Sequence, residues 1–269
     1  MSAACVDRRF ALQILCRRAL LLDNGDALGH STKDELMAKK SGVALGGTCL
    51  LGVGLYSVSE SAAVIRHRVQ KETTNRRLLR WAHSRTELAK FKPIIGPPLL
   101  VEGEYLFTFA QLMELMTVAA LRAKGVTVKA IRRAHERGRE KYGNHPFARE
   151  GYRTDGIGIF TEEGSEEAEE LSRQQLFFEE VIHPILADVS YVDSLAAQFS
   201  PLGNERSVIL DPRVAFGSPV DKETGVPTAT LFAMSNSGES DEAVADWYGV
   251  SVTSVRDAIE YETALRKAA

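Results

Sequence analysis

The last quarter of the chain, residues 209–262, constrains the fold more than any other stretch. Three short segments with helical apolar periodicity follow one another there, and Gly and Ser separate them. Ser240 is placed to cap the second segment, Ser251 caps the third, and Gly249 lies in the turn between them. Helices this short are stabilised mainly by packing against one another. The pattern therefore predicts a three-helix bundle of helix-turn-helix type.

A second pair of helices is predicted upstream, in residues 56–83. Ser57 and Glu60 have the spacing of a capping box, and a small apolar helix face follows them. A further helix is predicted for 73–83, with Thr73 or Thr74 as its cap. Together the two segments have the layout of a helix-turn-helix.

The second helix of this pair has two contrasting faces. Its apolar residues, Leu78, Leu79 and Trp81, are expected to face the core. Its outer face carries side chains of the kind that hydrogen-bond base edges and phosphates in a major groove. The candidate DNA-binding residues are Thr74, Asn75, Arg76, Arg77, Arg80 and Lys92.

The segment after this helix predicts a hairpin followed by two more helices. Two short apolar runs flank Glu102-Gly103-Glu104, and a hairpin directly after a recognition helix is a wing. Helices are then predicted for 109–124 and 128–142. The first of them is so apolar that we expect it to be buried against a partner subunit, which predicts a homodimer.

Charge is unevenly distributed although the net charge is only −3. A first basic run, residues 60–92, holds nine Lys and Arg against three Glu. A second basic run, residues 122–141, holds eight against two. An acidic run, residues 162–180, holds eight Glu against one Arg. This asymmetry favours a protein that places its N-terminal side on a polyanion, the alternative being a set of solvated helix faces.

The sequence offers no support for an enzyme or a metalloprotein. Three cysteines, Cys5, Cys16 and Cys49, lack metal-ligand spacing, and the histidines are scattered, with solvent-facing or capping roles expected. Nothing resembles a phosphate-binding loop, a nucleophile elbow or a dinucleotide fingerprint. We therefore expect no catalytic residues, no metal and no cofactor. The apolar stretches are too short to span a membrane, and the cysteine usage predicts a cytoplasmic protein.

Two long stretches resemble a known family. Within 106–160 the chain reads FTFAQLMELMTVAALRAKGVTVKAIRRAHERGREKYGNHPFARE and YRTDGIGIF. Further on it reads DPRVAFGSPV, TGVPT and GESDEAVADWYGVSVTSVRDAIEYE. The first stretch resembles VapB-type antitoxins with a MerR-like DNA-binding domain. The second resembles the small C-terminal domain of unknown function of the same proteins. Together the two matches cover most of residues 56–265.

The resemblance implies a fold, a domain order and a function. The implied fold is mainly α, with a MerR-like winged helix-turn-helix domain and a C-terminal three-helix module. The expected segments are a poorly patterned leader (1–55), either disordered or upstream of the true start, a DNA-binding and dimerisation domain (56–160), an acidic linker with an amphipathic helix (161–200), and a toxin-binding module (201–269). The implied function is that of a type II antitoxin, which sequesters a PIN-like ribonuclease toxin and represses its own operon by binding double-stranded DNA.

The C-terminal module is expected to bind a protein rather than DNA. Its predicted outer face carries carboxylates with a single cation, and such a face repels phosphate. Arg213 is expected to reach the Asp cluster of a PIN-like nuclease; alternatively it pairs with Asp211 or Asp221. The carboxylates expected to be exposed are Asp246, Asp257, Glu260 and Glu262, beside Arg256. The candidate partner-binding residues are Arg213, Phe216, Trp247 and Tyr248.

A second function remains open at this point. The chain could be a stand-alone MerR-like transcriptional regulator whose C-terminal module senses a small molecule. An adjacent reading frame for a small Asp-rich nuclease would favour the antitoxin.

Overall fold

The structure, a computed structural model, describes residues 52–69, 73–83, 92–152 and 183–268. Nearly all of the predicted leader (1–55), with the three cysteines, lies outside the described residues. The acidic run and the part of the predicted linker up to residue 182 also lie outside them.

The N-terminal half of the described chain combines four helices with a small sheet. Strand β1 precedes the helix pair α1 and α2, the hairpin β2–β3 follows, and helices α3 and α4 complete this half. The sheet is antiparallel with the order β1-β3-β2. The predicted helix pair, hairpin and following helices are therefore confirmed as elements. Their bounds are β1 Leu55–Ser57, α1 Val58–Val69, α2 Asn75–Ala82, β2 Leu99–Val101, β3 Glu104–Thr108, α3 Phe109–Ala123 and α4 Val128–Tyr142.

Local side-chain contacts explain where these elements begin. The Ser57 backbone N–H donates to Glu60 at 2.8 Å and the Glu60 N–H donates to the Ser57 hydroxyl at 3.2 Å, which is the predicted capping box. Thr74, rather than Thr73, caps α2 by accepting from the N–H of Arg77. The hairpin turns tightly at Glu102 and Gly103, whose φ values of 49° and 84° are those of a two-residue hairpin turn.

Helix α3 is the centre of the fold. Its residues from Gln111 to Leu121 are all buried, so the helix is covered on every side by its own chain. The expectation that this apolar helix is buried against a second subunit is therefore wrong. It arose because a helix surrounded by its own domain has the same apolar composition as one at a dimer interface.

The second half contains strands that the sequence pattern did not reveal. A four-stranded antiparallel sheet with the order β4-β5-β6-β7 follows the short helix α5. The fold is therefore mixed, with two antiparallel sheets, rather than mainly α as predicted. The strands were missed because they have only three to five residues each. The bounds are α5 His183–Ala187, β4 Val189–Val192, β5 Leu195–Phe199, β6 Val208–Leu210 and β7 Pro219–Asp221.

The segment between β6 and β7 reverses the direction of the chain. Ala215 and Phe216 both have positive φ, at 45° and 57°, and the chain folds back through a 3-10 turn at Ala215–Gly217. This reversal allows β7 to pair with β6. We call residues 211–218 the return loop.

The three predicted C-terminal helices are confirmed as α6 (Thr228–Asn236), α7 (Asp241–Tyr248) and α8 (Val252–Ala268). Ser240 caps α7 by accepting from the N–H of Ala243, and Ser251 accepts from the N–H of Ser254 at the start of α8. Gly249 has a φ of 63° in the turn between them. The helices enclose a small core of their own, made of Leu231, Val244, Ala245, Val255 and Ala258.

Helix α8 and the elements of the N-terminal half share one larger hydrophobic core. Tyr261 of α8 is fully buried and stacks edge-to-face on His67 of α1, with ring centroids 5.4 Å apart. The Tyr56 hydroxyl donates to the carbonyl of Gly217 in the return loop at 2.8 Å. A Cβ at Gly217 would lie 2.4 Å from that hydroxyl, so only glycine permits this close approach.

Candidate nucleic-acid and partner interfaces

Helix α2 presents the polar face that the sequence predicted. Leu78 and Trp81 are buried, and Leu79 is partly buried against the same core. The candidate DNA-contacting residues on the opposite face are all exposed: Thr74, Asn75, Arg76, Arg77 and Arg80. Lys92 is exposed on the segment that follows α2.

Contacts at both ends hold α2 in place. The guanidinium of Arg66 on α1 donates to the carbonyl of Thr73, just before the helix, at 2.8 Å. At the other end, the backbone N–H groups of Ile94 and Ile95 donate to the carbonyl of Trp81 at 2.6 and 3.1 Å. The outer face of α2 is therefore presented by a fixed helix rather than by a loop.

The hairpin β2–β3 stands beside α2 but has an acidic tip. The His83 ring at the end of α2 lies 5.1 Å from the ring of Tyr105 on β3, which joins the two elements. Glu102 and Glu104 at the tip are both exposed. Because carboxylates repel phosphate, the cations suited to a polyanion lie on α2 and behind it rather than at the tip of the hairpin.

A cleft of about 440 Å³ opens behind α2, and we call it the basic cleft. It lies between α2, the segment around Lys92, the end of α3 and the start of α4. Its apolar lining is Trp81, Ile94, Ala119, Ala123 and Val128. Its charged lining is Arg77, Arg80, Lys92, Arg122 and Arg132.

Sequence reasoning singled out three of the five cations of the basic cleft and missed Arg122 and Arg132 as site residues. The signal for both was the second basic run, to which they belong. Arg132 donates to the carbonyls of Lys92 and Pro93 at 2.6 and 3.4 Å, and Arg122 donates to the carbonyl of Val126 at 2.5 Å. These bonds to backbone oxygens hold the two guanidinium groups in fixed positions at the cleft.

A buried carboxylate between two histidines corrects the expectation that the histidines serve only as surface or capping residues. Nε2 of His135 and Nδ1 of His145 donate to the two oxygens of Glu114 at 2.8 and 2.9 Å. Burial by itself would raise the pKa of Glu114, but the two histidine hydrogen bonds outweigh it and the net effect is a lowered pKa. The network ties α3 and α4 to the turn after α4. Elsewhere in the described ranges, too, no group of three or more His, Cys, Asp and Glu could hold a metal ion.

In the C-terminal module Arg213 pairs with Asp211, one of the two alternative partners expected from the sequence. Its Nε and Nη2 donate to the two carboxylate oxygens of Asp211 at 2.9 and 2.6 Å. Asp211 is buried, which would raise its pKa, but the bonds from Arg213 lower the pKa overall. Any carboxylate of a partner protein would have to share or replace this pair.

The predicted acidic outer face is only partly present, because Asp257 and Glu262 are buried. Arg206 donates to one oxygen of Asp257 at 2.8 Å, and the N–H and hydroxyl of Ser207 both donate to the other at 2.9 Å. Burial would raise the pKa of Asp257, but these bonds lower it overall. Glu262 accepts from the hydroxyl of Thr228 at 2.6 Å. The exposed carboxylates that remain from the prediction are Asp246 and Glu260.

The candidate partner-binding residues fall into two groups. Trp247 and Tyr248 lie together on α7, where Tyr248 packs partly on the small core while Trp247 is 60% exposed. Arg213 and Phe216 belong to the return loop, which packs beside β1. Trp is one of the residue types enriched among the energetically dominant residues of protein interfaces, so this exposed indole is a candidate contact with another protein.

None of the helices in the described ranges has the length and apolar character needed to cross a membrane.

Comparisons with known proteins gave a family match for part of the chain and a match to a solved structure. Residues 208–261, from β6 into α8, match the family "Protein of unknown function (DUF433)". The described fold resembles the crystal structure of Rv2018 from Mycobacterium tuberculosis. That match has a TM-score of 0.60 and 25% identity, and it covers 78% of this chain and 99% of that chain.

The chain also has a sequence relative with a described role. The Mycobacterium tuberculosis protein described as "Putative antitoxin VapB45" is 30% identical over 166 residues. The match covers 56% of this chain and 70% of the relative. The chain therefore belongs to the same family as this protein.

Proposed function

We propose that the protein is the antitoxin of a type II toxin-antitoxin system, which binds duplex DNA through α2 and a PIN-like ribonuclease toxin through its C-terminal module. The observation that carries the DNA-binding part is the exposed polar face of α2, fixed at both ends and beside a hairpin. The family relationship supports the antitoxin role. In this role the protein has no catalytic activity, needs no cofactor and acts in the cytoplasm.

The DNA interface is proposed to be a MerR-like winged helix-turn-helix. In such domains the second helix enters the major groove, where Asn and Arg side chains hydrogen-bond base edges. Asn75, Arg76 and Arg77 lie in the first turn of α2, the part of a recognition helix that contacts bases. Arg80 and Lys92 are placed to neutralise backbone phosphates. A homodimer that reads two half-sites remains part of the proposal.

The toxin interface is proposed to centre on Trp247. Large aromatic residues dominate the energetics of protein interfaces when they enter a pocket of the partner. Arg213 is proposed to contact the Asp-rich rim of a PIN-like nuclease while it remains anchored to Asp211. Phe216 and Tyr248 would supply apolar area around these two residues.

The DNA-binding proposal is tested with the full-length protein and duplex DNA from the region upstream of its own operon, at one fixed salt concentration. We expect the Arg76→Ala/Arg77→Ala double variant to weaken binding by about 1–3 kcal/mol for each base-specific hydrogen-bonding pair that it removes. Arg256→Ala removes an exposed cation from the C-terminal module and should leave the affinity unchanged. Equal affinity of the double variant and the parent would exclude α2 as the DNA-reading element.

The toxin-binding proposal is tested by co-expression with the product of the neighbouring reading frame, with ribonuclease inhibition as the readout. Deletion of residues 200–269 is not a clean test, because Tyr261 and its neighbours complete the shared core. Trp247→Ala should instead weaken inhibition by about 2 kcal/mol or more, the effect typical of truncating an aromatic anchor. Val192→Ala on β4, also more than half exposed, is the matched control. Full inhibition by the Trp247 variant would place the toxin interface elsewhere.

A further inference from the structure

The basic cleft behind α2 has features that DNA contact alone does not require. A phosphate group of a DNA backbone needs cations and backbone N–H groups but no apolar wall. In this cleft the apolar side chains of Trp81, Ile94, Ala119, Ala123 and Val128 line the wall together with the cations. Its volume of about 440 Å³ falls within the range of small-molecule sites.

The charged lining of the cleft is suited to an oxyanion. Arg122 and Arg132 are fixed by backbone carbonyls, while Arg80 and Lys92 make no ion pair with any residue in the described ranges. The cleft residues within those ranges include no carboxylate. Val128 is the first residue of α4, so the positive end of that helix dipole also lies at the cleft.

We propose that the basic cleft binds a small organic anion, with its apolar body against the Trp81 side and its phosphate, sulfonate or carboxylate group on the arginines. Arg77 and Arg80 belong both to this cleft and to the outer face of α2. A ligand that engages them withdraws two cations from the DNA interface. Occupancy of the cleft therefore lowers the affinity for DNA, a consequence that rests on the DNA-binding function proposed above.

The binding step is tested without DNA by calorimetric titration of the full-length protein with 8-anilinonaphthalene-1-sulfonate. We expect saturable binding at one site. Ala123→Leu fills the apolar side, and Arg80→Gln/Lys92→Gln removes two cations. Each variant should weaken binding by about tenfold or more. Ala123→Leu takes up space that the ligand needs, and the double Gln variant removes charge-assisted hydrogen bonds to its anionic group. Lys124→Gln/Lys129→Gln removes the same charge from exposed residues outside the cleft and should keep the parental affinity.

Three results would overturn the assignment of the cleft. These are the absence of saturable binding, parental affinity in folded Ala123→Leu, and an equal decrease of affinity in the cleft and control variants. Ala123 is partly exposed, so its enlargement should be tolerated, and thermal unfolding of each variant confirms folding. Inorganic phosphate serves as the comparison ligand. If it binds as tightly as the aromatic sulfonate, the apolar side contributes nothing and the organic-anion assignment is wrong.

The competition step is tested separately with labelled duplex DNA. A saturating concentration of the aromatic sulfonate should lower the DNA affinity of the parent but not that of Ala123→Leu. Arg76 does not line the cleft, so Arg76→Gln should weaken DNA binding while leaving the sulfonate affinity unchanged. If the parent binds the sulfonate but no DNA, the cleft assignment stands and both the competition and the proposed DNA-binding function fail.

Discussion

In the C-terminal module Arg206, Arg213 and Arg256 each contact a carboxylate of the same module. On and beside α2, by contrast, Arg76, Arg80 and Lys92 form no ion pair with any residue that the structure describes. Both regions contain several cations, and composition alone does not distinguish them. They differ in whether a carboxylate of the described chain lies next to each cation.

A cation that already has a partner contributes to the fold, whereas a cluster of cations without partners opposes it by mutual repulsion. Under the functions proposed above, an external anion supplies the negative charge that this arrangement lacks within the described ranges. The three paired arginines of the C-terminal module need no such ligand, and the large hydrophobic side chain that this module exposes most is Trp247.

The largest effect on stability is expected where α8 of the C-terminal module packs on α1 of the N-terminal half. Tyr261→Ala removes a fully buried ring between α8 and α1 and should lower the free energy of unfolding by about 3–5 kcal/mol. Tyr261→Phe is the matched control, since the hydroxyl has no hydrogen-bond partner among the described residues and its removal should be neutral or stabilising. Urea denaturation measures both. A small decrease for the Ala variant would mean that the regions fold independently.

The next effect tests the internal pairing of the C-terminal module. Asp257→Asn weakens the bonds from Arg206 and Ser207 and should cost about 1.5–3 kcal/mol of stability at neutral pH. The pKa of Asp257 is lowered in the fold from its usual 3.8, so ionised Asp257 contributes its full stabilisation of the fold above that pH. It is lost as the pH falls through the lower folded pKa. The variant should therefore lose less stability on acidification, as followed by thermal unfolding between pH 7 and pH 2.

A smaller effect is expected when Arg80, a cation unpaired within the described ranges, is replaced and the result is compared with replacement of a paired one, Arg256. Arg80→Gln should weaken DNA binding about tenfold and reduce the slope of log affinity against log salt by about 1, as expected when one phosphate is no longer neutralised. Arg256→Gln on α8 carries the same charge change and should alter neither quantity. Fluorescence anisotropy at several salt concentrations measures both, and identical slopes for the two variants would contradict the comparison.

The smallest effect concerns Arg213, which is paired but 58% exposed. Arg213→Gln should lower stability by no more than about 1 kcal/mol, because solvent screens the pair and the backbone N–H of residue 213 still donates to Asp211. Chemical denaturation provides the measurement. A much larger decrease would show that this pair anchors the return loop against β1.

Much of the local structure could be predicted because it depends on residues three or four positions apart. The capping box of Ser57 and Glu60, the caps at Thr74 and Ser240, and the turn at Gly249 all satisfy backbone groups within one helical turn. The outer face of α2 was predictable for the same reason, since helical periodicity alone separates Leu78 and Trp81 from Arg76 and Arg80.

Features that depend on distant residues could not be read from the sequence. The strands of the second sheet are too short to show a clear alternation, and pairing with their neighbours defines them. Asp257 looked like an exposed acid because its helical position alone does not reveal Arg206, which lies 51 residues away. Arg122 and Arg132 could be recognised as part of a basic run, but their place in a cleft depends on α2, α3 and α4 coming together around it.

The sequence by itself determined the caps, the helices and the clusters of charge, because these follow from backbone hydrogen bonding and side-chain periodicity over a few residues. Only the tertiary structure decided that α3 is covered by its own chain, that Glu114 lies between two histidines, and which cations have partners. The physical reason is that the burial and charge compensation of a side chain are set by the groups that folding brings next to it, and those groups come from anywhere along the chain.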